Sequence, residues 1–268
     1  MADKRSDARK GLFVVIDGLD GIGKGIAERA LIEYDQKLDR HTFDAVSFSK
    51  AESKGLPELE DFWNPPIRHY HTIITAEPTY AGIGKDIRNE IIAKKNKGRY
   101  SAATEVYMYS LDRLIQMNRV IIPALLNNLN VIQDRSCAST LTYQALRARE
   151  EGKSIEDAHD FILQQEGNKL QLEWAPDLLI IPLIDDVAKV VARLEERKAI
   201  RKDDKSIFDN IEFQEKLKPY YEDNWLRELF EKHGTHVVYF DAGISEEETR
   251  HQAVEIYRKF LANIRKNL

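Results

Sequence analysis

The feature that most constrains this chain is a glycine-rich stretch near its start, DGLDGIGKG, at residues 17–25. Gly18, Gly23 and Lys24 match the G-x-x-x-x-G-K pattern of a phosphate-binding loop. A run rich in β-branched residues, 12–16, precedes the loop, and apolar residues at helical spacing follow it. This order of strand, turn and helix directs backbone N–H groups towards an anion. The loop predicts nucleotide binding, and the alternative is a glycine-rich turn without a ligand.

The rest of the chain alternates strands with helices. The apolar patterns predict strands at residues 72–78, 130–134, 177–183 and 236–241. They predict helices at 102–126, bent or restarted at Pro123, at 187–201, and after a capping box formed by Ser245 and Glu248. We therefore expect an α/β P-loop NTPase fold, with a five-stranded parallel sheet, helices on both faces and a basic lid. Ligands of such sheets bind beyond the carboxyl ends of the strands.

Composition narrows the function classes. The net charge of −5 does not indicate a general nucleic-acid binder, and no apolar run approaches the roughly 18 residues of a membrane span. The first ten residues lack the apolar core of a secretory signal, and the one cysteine, Cys137, excludes an internal disulfide. We expect a cytoplasmic protein that binds neither nucleic acid nor membrane. Cys137 is expected to be a small packing residue.

One stretch, residues 41–71, is irregular and reads as an insertion. It contains Pro65 and Pro66 in sequence and an H-x-H pair, His69 and His71, with His41 at its start. A metal site is conceivable, but no cysteine or clear carboxylate spacing supports it. We interpret these histidines as surface or packing residues.

Several segments in order resemble the thymidylate kinase family. They are GLFVVIDGLDGIGKG, TAEPTYAGIGKDIR, EVYMYSLDRLIQMNRVIIPALLNNLNVIQDRSCASTLTYQ and APDLLIIPLID with the basic segment beyond it. Together they run from about residue 11 to residue 241. The resemblance implies one P-loop kinase domain over residues 1–268, with an insertion at about 41–71 and a lid at about 193–213. It also implies transfer of a phosphoryl group from ATP to dTMP, Mg²⁺ as cofactor and a homodimer formed through the long helix.

The resemblance also implies roles for individual residues. Asp20 would meet the sugar 3′-hydroxyl, Tyr109 would stack on thymine and Arg113 would donate to the base O4. Arg135 would grip the acceptor phosphate, Thr140 would contact the base N3 and Tyr143 would crowd the 2′-position. The other implied acceptor residues are Glu77, Pro78 and Tyr80. The implied residues for the ATP phosphates are Gly18, Leu19, Asp20, Gly21, Ile22, Gly23, Lys24 and Gly25. The implied catalytic residues are Lys24, Asp134, Arg135, Arg197 and Arg201, with Asp134 near the metal.

Each implied role has a structural alternative. On spacing alone, Tyr109 fits a core residue equally well, and Arg113 can pair with Asp112 or Glu105 on a helix surface. Asp134 and Arg135 can form a salt bridge at a strand end. Thr140 and Tyr143 can pack at the start of a helix.

The expected lid carries a basic stripe. Arg193, Arg197 and Arg201 recur every four residues on one helix face. The alternative is a solvated face paired with Glu195 and Glu196. Gly21 stands where some relatives have a loop arginine, and relatives without that arginine supply the cation from the lid. This combination favours Arg197 and Arg201 as the cations of the transferring group.

Three positions depart from the family pattern: Gly25 lacks the hydroxyl that binds Mg²⁺, Ala76 replaces an arginine and Ser136 replaces an aromatic residue. A water molecule can replace one hydroxyl ligand of Mg²⁺. Arg88 or Arg68 would have to compensate for Ala76. We expect an altered site rather than a dead one. The competing hypotheses are a kinase of another deoxynucleotide or deoxynucleoside, and a nucleotide-binding protein without turnover.

Overall fold

The fold was analysed in a computed structural model, which describes residues 11–51, 55–64, 68–93, 99–189, 208 and 211–267. The strands are β1 (Phe13–Ile16), β2 (Thr42–Asp44), β3 (Trp63–Asn64), β4 (Arg68–His69), β5 (Thr72–Ala76), β6 (Asn130–Asp134), β7 (Leu178–Leu183) and β8 (His236–Asp241). The helices are α1 (Lys24–Lys37), α2 (Ala45–Ala51), α3 (Leu59–Phe62), α4 (Gly82–Asp86), α5 (Ala102–Gln116), α6 (Ile122–Leu126), α7 (Cys137–Ser139), α8 (Ala145–Glu150), α9 (Ile155–Gln164), α10 (Glu166–Glu173), α11 (Ile211–Glu222), α12 (Asn224–Lys232) and α13 (Glu246–Asn267). Wider π-helical turns span Ile87–Ile92, Met117–Ile121 and Thr140–Gln144.

The main sheet is parallel throughout, which confirms the expected α/β class. Its strand order is β2-β5-β6-β1-β7-β8, so over the described residues this sheet has six strands rather than the expected five. The additional strand, β2, is three residues long and pairs with β5 at one edge. Strands β1, β6 and β7 are almost wholly buried because helices cover both faces of the sheet.

The long helical stretch after residue 102 is interrupted as its proline predicts. Helix α5 passes into the π-helical turn Met117–Ile121, and α6 then begins with Pro123 in its first turn. Proline has no N–H to donate there, so a new helix start accommodates it. The capping residue Ser245 accepts a hydrogen bond from the N–H of Glu248 at 3.0 Å, as expected at the start of α13. In the described part of the chain, no helix combines the length and apolar character needed to span a membrane.

The stretch 41–71 contributes β2, α2, α3 and a small antiparallel pair, β3 and β4. Strand β2 is aligned with β5 through the pairs Thr42–Thr72 and Asp44–Ile74. The carboxylate of Asp44 then accepts from the N–H and hydroxyl of Ser47 at 2.8 and 2.6 Å, which holds the first turn of α2. The stretch is therefore anchored to the sheet edge that lies next to β5.

Candidate active site

The strand register brings the predicted site residues to one edge of the sheet. Asp134 is aligned with Ile16 on one side and with Ala76 on the other. The residues that follow these positions, Asp17, Glu77 and Arg135, therefore leave the sheet at the same level. This edge is the place where ligands of parallel α/β sheets bind.

The glycine-rich loop begins at this edge and ends at the first residue of α1. Gly21 and Gly23 have φ angles of 77° and 106°, in the left-handed region that glycine adopts without a steric cost. The ammonium of Lys24 donates to the carbonyls of Leu19 and Gly18 at 2.7 and 3.0 Å. Burial lowers the pKa of Lys24 to about 8, an effect that Arg135 reinforces. A phosphate group can therefore replace weak carbonyl partners and restore a full charge to Lys24.

Asp17 organises the site, although the sequence analysis did not select it. Its buried carboxylate accepts from the N–H of Gly18 at 2.8 Å and from the Tyr221 hydroxyl at 2.9 Å. It also accepts from the N–H and hydroxyl of Ser136 at 2.8 and 2.9 Å, and from the Ser139 hydroxyl at 2.6 Å. The hydroxyl of Ser136, which stands where an aromatic residue was expected, is thus one of several donors to Asp17. The only sequence signal for this role is the position of Asp17 between a buried strand and the loop.

Arg135 links the loop to the strand end. Its φ of 69° is unusual for a residue with a side chain, and such strained residues cluster at functional sites. Its guanidinium is hydrogen-bonded to the carboxylate of Asp20 and donates to the Ser139 hydroxyl at 2.9 Å. The Tyr143 hydroxyl donates to the same Asp20 carboxylate at 3.0 Å. Arg135 therefore pairs with Asp20, and the alternative of a salt bridge with Asp134 is wrong.

A cleft opens beside these groups, at the edge where ligands of such sheets bind. Its lining includes most of the residues predicted for the acceptor, namely Glu77, Pro78, Tyr109, Arg113, Arg135, Thr140 and Tyr143. Tyr109 is half-buried and lines the cleft, so its ring is positioned to contact a ligand there. Phe208 closes another side of the cleft and packs edge-on against Tyr143, with ring centroids 5.3 Å apart.

The floor of the cleft is a buried ion pair between Arg113 and Glu77. Their side chains are 1% and 4% exposed, and the closest N–O distance is 2.6 Å. Arg113 also donates to the Thr140 hydroxyl at 3.1 Å. Burial raises the pKa of Glu77, and the Arg113 guanidinium opposes this rise. The pair also has polar contacts with Asn168, Gln133 and Gln171.

Both surface partners considered for Arg113 are engaged elsewhere. The Asp112 carboxylate accepts from the N–H and hydroxyl of Thr79 at 2.7 and 2.6 Å. Glu105 pairs with Arg147 at 3.2 Å. Arg113 is thereby left facing the cleft, on the same side of α5 as Tyr109.

Tyr80 lies outside the cleft lining, in a cluster with two cations. The guanidinium carbon of Arg88 is 3.6 Å from the centre of the Tyr80 ring, and the Lys50 ammonium is 4.0 Å from it. Arg88 also donates to the carbonyls of Thr79, at 3.1 Å, and Pro78. Of the two residues considered as substitutes for an arginine at 76, Arg88 is therefore held beside the acceptor segment. The side chain of Arg68 lies outside the described part of the chain.

Asp134, the residue predicted to lie near the metal, has an oxygen that could serve as a ligand. Asp134 has a buried carboxylate oxygen, Oδ1, that lacks a hydrogen-bond partner among the described residues. Burial raises the pKa of Asp134, against Lys24 and Arg135. A Cβ placed on Gly25 meets only Arg29, at 3.9 Å, so space remains there for water. Carboxylate and water oxygens are the ligands Mg²⁺ prefers.

The remaining residues that the sequence analysis selected lie away from this cleft or outside the described residues. Arg193, Arg197 and Arg201 of the expected lid lie outside them, although residues 187–189 begin the predicted helix. The ring nitrogen of His71 accepts from the backbone N–H of His41 at 3.2 Å, and the described residues contain no metal-binding group of three or more His, Cys, Asp or Glu. Cys137 is fully buried, which raises the pKa of its thiol to about 12 and confirms its packing role.

Comparison with known proteins gives one family. Residues 66–253, more than half of the chain, match the family model described as thymidylate kinase. A thymidylate kinase of Prochlorococcus marinus (strain MIT 9301) is 33% identical over 135 residues, which cover 50% of this chain and 52% of that protein. One from strain MIT 9312 is 30% identical over 63% of this chain and 68% of that protein. A probable thymidylate kinase of Thermococcus onnurineus (strain NA1) is 27% identical over 78% and 82%. The chain thus matches about half the length of the first relative and more of the others.

Proposed function

The chain belongs to the thymidylate kinase family, and on this premise we propose that it transfers the γ-phosphoryl group of ATP to the 5′-phosphate of dTMP. The products are dTDP and ADP: a phosphate oxygen of dTMP forms the new P–O bond, and the bond to the β-phosphate oxygen breaks. One observation carries the proposal. Most of the residues predicted for the acceptor line one cleft, and that cleft adjoins the phosphate-binding loop through the pair of Arg135 and Asp20.

On the donor side, the loop amides and Lys24 bind the phosphates of ATP. The buried ammonium of Lys24 exchanges its two carbonyl partners for phosphate oxygens, which is favourable because both partners are then charged. The acceptor oxygen is already anionic, so the reaction needs no strong base. Alignment and charge stabilisation supply most of the acceleration.

On the acceptor side, Tyr109 provides a ring for stacking on thymine at the wall of the cleft. Arg113 and Thr140 form the polar end for the base, and Glu77 fixes the orientation of Arg113. Arg135 orients the acceptor phosphate. The Asp20 carboxylate now accepts from Arg135 and from Tyr143. The acceptor phosphate can replace Asp20 as the partner of Arg135, and a sugar hydroxyl can replace Tyr143 as a donor to Asp20.

Asp134 would hold Mg²⁺, in part through water because Gly25 offers no hydroxyl. When bound there, the ion would neutralise charge on the donor phosphates. We propose, from their spacing in the sequence alone, that Arg197 and Arg201 stabilise the negative charge of the phosphoryl group during its transfer. They would spread positive charge over the phosphoryl group and help to exclude water.

The test is a coupled ADP-release assay with ATP and Mg²⁺ against dTMP, dUMP, dGMP, thymidine and no acceptor. We expect turnover that prefers dTMP. Turnover only with thymidine or another nucleotide would assign a sister activity instead. If the folded protein binds ATP but shows no turnover above the acceptor-free blank, it is a nucleotide-binding protein and not a kinase.

Replacing Gly25 by serine is expected to lower the Mg²⁺ concentration for half-maximal activity by about 3- to 10-fold. The new hydroxyl stands where the family pattern places a metal ligand, and each additional ligand replaces a water that must otherwise be retained. The space around Gly25 accommodates the side chain. Titration of activity and of thermal stability with Mg²⁺ in the presence of ATP measures the change.

The matched control is Gly25→Ala, which makes the same backbone change without adding an oxygen. Both variants should be at least as stable as the parent, because either residue favours the first turn of α1 more than glycine does. Equal Mg²⁺ dependence in the serine and alanine variants would show that the hydroxyl position does not reach the metal.

The remaining family properties are proposals of the same kind. A homodimer through α5 is supported by an exposed apolar stripe of Tyr107, Leu111 and Ile115, which are 56%, 45% and 37% exposed at a spacing of four residues. Light scattering of the purified protein gives its mass directly.

We also propose one kinase domain over residues 1–268 and a cytoplasmic location, which the lone cysteine suits.

A further inference from the structure

We infer that Lys50, carried by the 41–71 stretch, is a binding residue for the acceptor phosphate and acts together with Arg88. The inference rests on the proposed function, because it assigns a further residue to the same acceptor site. It concerns a phosphate monoester, since the two groups that meet at the Tyr80 ring are both cations.

The first argument is the position of Lys50. Helix α2 packs with Ala45 and Ser49, both buried, towards Ala76, Thr79 and Tyr80 at the end of β5. Lys50 follows directly and places its ammonium over the Tyr80 ring. The small side chain at position 76 leaves room for α2, so the departure from the family pattern and the new cation occur at one place.

The second argument is the charge around Tyr80. Lys50 and Arg88 both lie within about 4 Å of one ring centre, so the two cations are within about 8 Å of each other. Over the described ranges, neither forms a salt bridge with a carboxylate. Two cations this close repel each other, and a phosphate with charge near −2 that binds both of them removes that repulsion.

The third argument links Lys50 to the reacting edge of the sheet. Burial, Asp134 and Asp44 raise the pKa of Glu28 to about 8, and Arg29 and Lys50 oppose the rise. The geometric link runs through Arg88, which shares the Tyr80 ring with Lys50 and is hydrogen-bonded to the carbonyl of Pro78, a residue that lines the cleft. Because the ammonium is exposed and its stem is flexible, it can leave the ring for a phosphate oxygen at little cost.

The attachment of α2 to the sheet fixes the position of Lys50. Strand β2 pairs with β5, and Asp44 holds the first turn of α2 through Ser47. Lys50 is thus presented by a helix attached to the sheet.

The experiment measures calorimetric binding of dTMP and of thymidine to the full chain and to Lys50→Ala. We expect dTMP binding to weaken about 3- to 10-fold, thymidine binding to stay unchanged, and the difference to shrink in 0.5 M salt. Lys50→Arg should restore most of the affinity for dTMP. Lys85→Ala is the matched control, since Lys85 is also exposed and lies on α4, close in sequence to Arg88.

The outcomes separate the inference from the proposed function. If the parent protein binds and phosphorylates dTMP and Lys50→Ala binds it equally well, the inference is wrong and the function stands. The inference is also wrong if Lys50→Ala weakens dTMP and thymidine alike. If the parent binds thymidine as tightly as dTMP and does not phosphorylate dTMP, both are overturned. Alanine is a strong helix former, so loss of folding does not obscure the comparison.

Discussion

Replacing Lys24 by methionine is expected to weaken ATP binding and turnover by at least about 100-fold. Lys24 is the buried cation of the phosphate-binding loop, and its ammonium now donates to two loop carbonyls. Each charge-assisted hydrogen bond to a phosphate is worth about 1.5–3 kcal/mol, and methionine preserves the length of the side chain without any donor. Calorimetric titration with ATP and the ADP-release assay measure the two losses.

Lys37→Met is the control for this experiment. Lys37 lies on the same helix, α1, but it is exposed in the last turn. We expect its replacement to leave ATP affinity within about twofold of the parent, as for an exposed charge. An affinity within threefold of the parent in Lys24→Met would contradict the assignment of the loop as the ATP site.

The lowered pKa of Lys24 predicts how ATP binding depends on pH. In the free protein the ammonium loses its proton as the pH rises through about 8. A bound phosphate favours the charged form, so ATP affinity should be constant below that pH and fall by up to about tenfold per unit above it. Lys24→Arg remains charged throughout and should lack the decline. Titrations between pH 7 and 9.5 compare the two proteins, and an identical decline in both would exclude Lys24 as its source.

Replacing Arg113 by methionine is expected to lower the free energy of unfolding by about 3–5 kcal/mol. The substitution leaves the Glu77 carboxylate buried without its cation, and an uncompensated buried charge is costly. Glu77 would then take up a proton on folding, because burial raises its pKa and the opposing guanidinium is gone. Urea denaturation at pH 5 and pH 8 measures the loss.

The sign of the pH effect follows from the raised pKa of Glu77. A carboxyl whose pKa is higher in the folded state favours folding at low pH and loses that contribution as the pH rises through its folded pKa. The deficit of Arg113→Met should therefore be smaller at pH 5 than at pH 8. Equal deficits at both values would show that Glu77 is not the source.

Two further variants isolate the buried charge. Glu77→Gln combined with Arg113→Met removes the unpaired carboxylate and should recover part of the stability. Arg147→Met breaks the pair with Glu105, where the Arg147 side chain is 16% exposed, and should cost less than Arg113→Met.

The sequence alone determined the features that depend on neighbours along the chain. The glycines and Lys24 of the loop follow from local backbone geometry, and the strand at 130–134 from a short apolar run. The break at Pro123 follows from its missing N–H. The motifs also identified the family. These signals are readable because helix and strand periodicity, turns and caps involve residues only a few positions apart.

Only the tertiary structure decided which side chains meet. It paired Arg113 with Glu77, 36 positions away, rather than with Asp112 or Glu105. It placed the carboxylate of Asp17 beneath Ser136 and Tyr221, and the ammonium of Lys50 over Tyr80. Strand β2 escaped the sequence analysis because three residues are too few to show alternation, and pairing with β5 defines it. Such contacts depend on strand order and on the direction in which each helix faces. They arise when distant segments pack, so local periodicity does not record them.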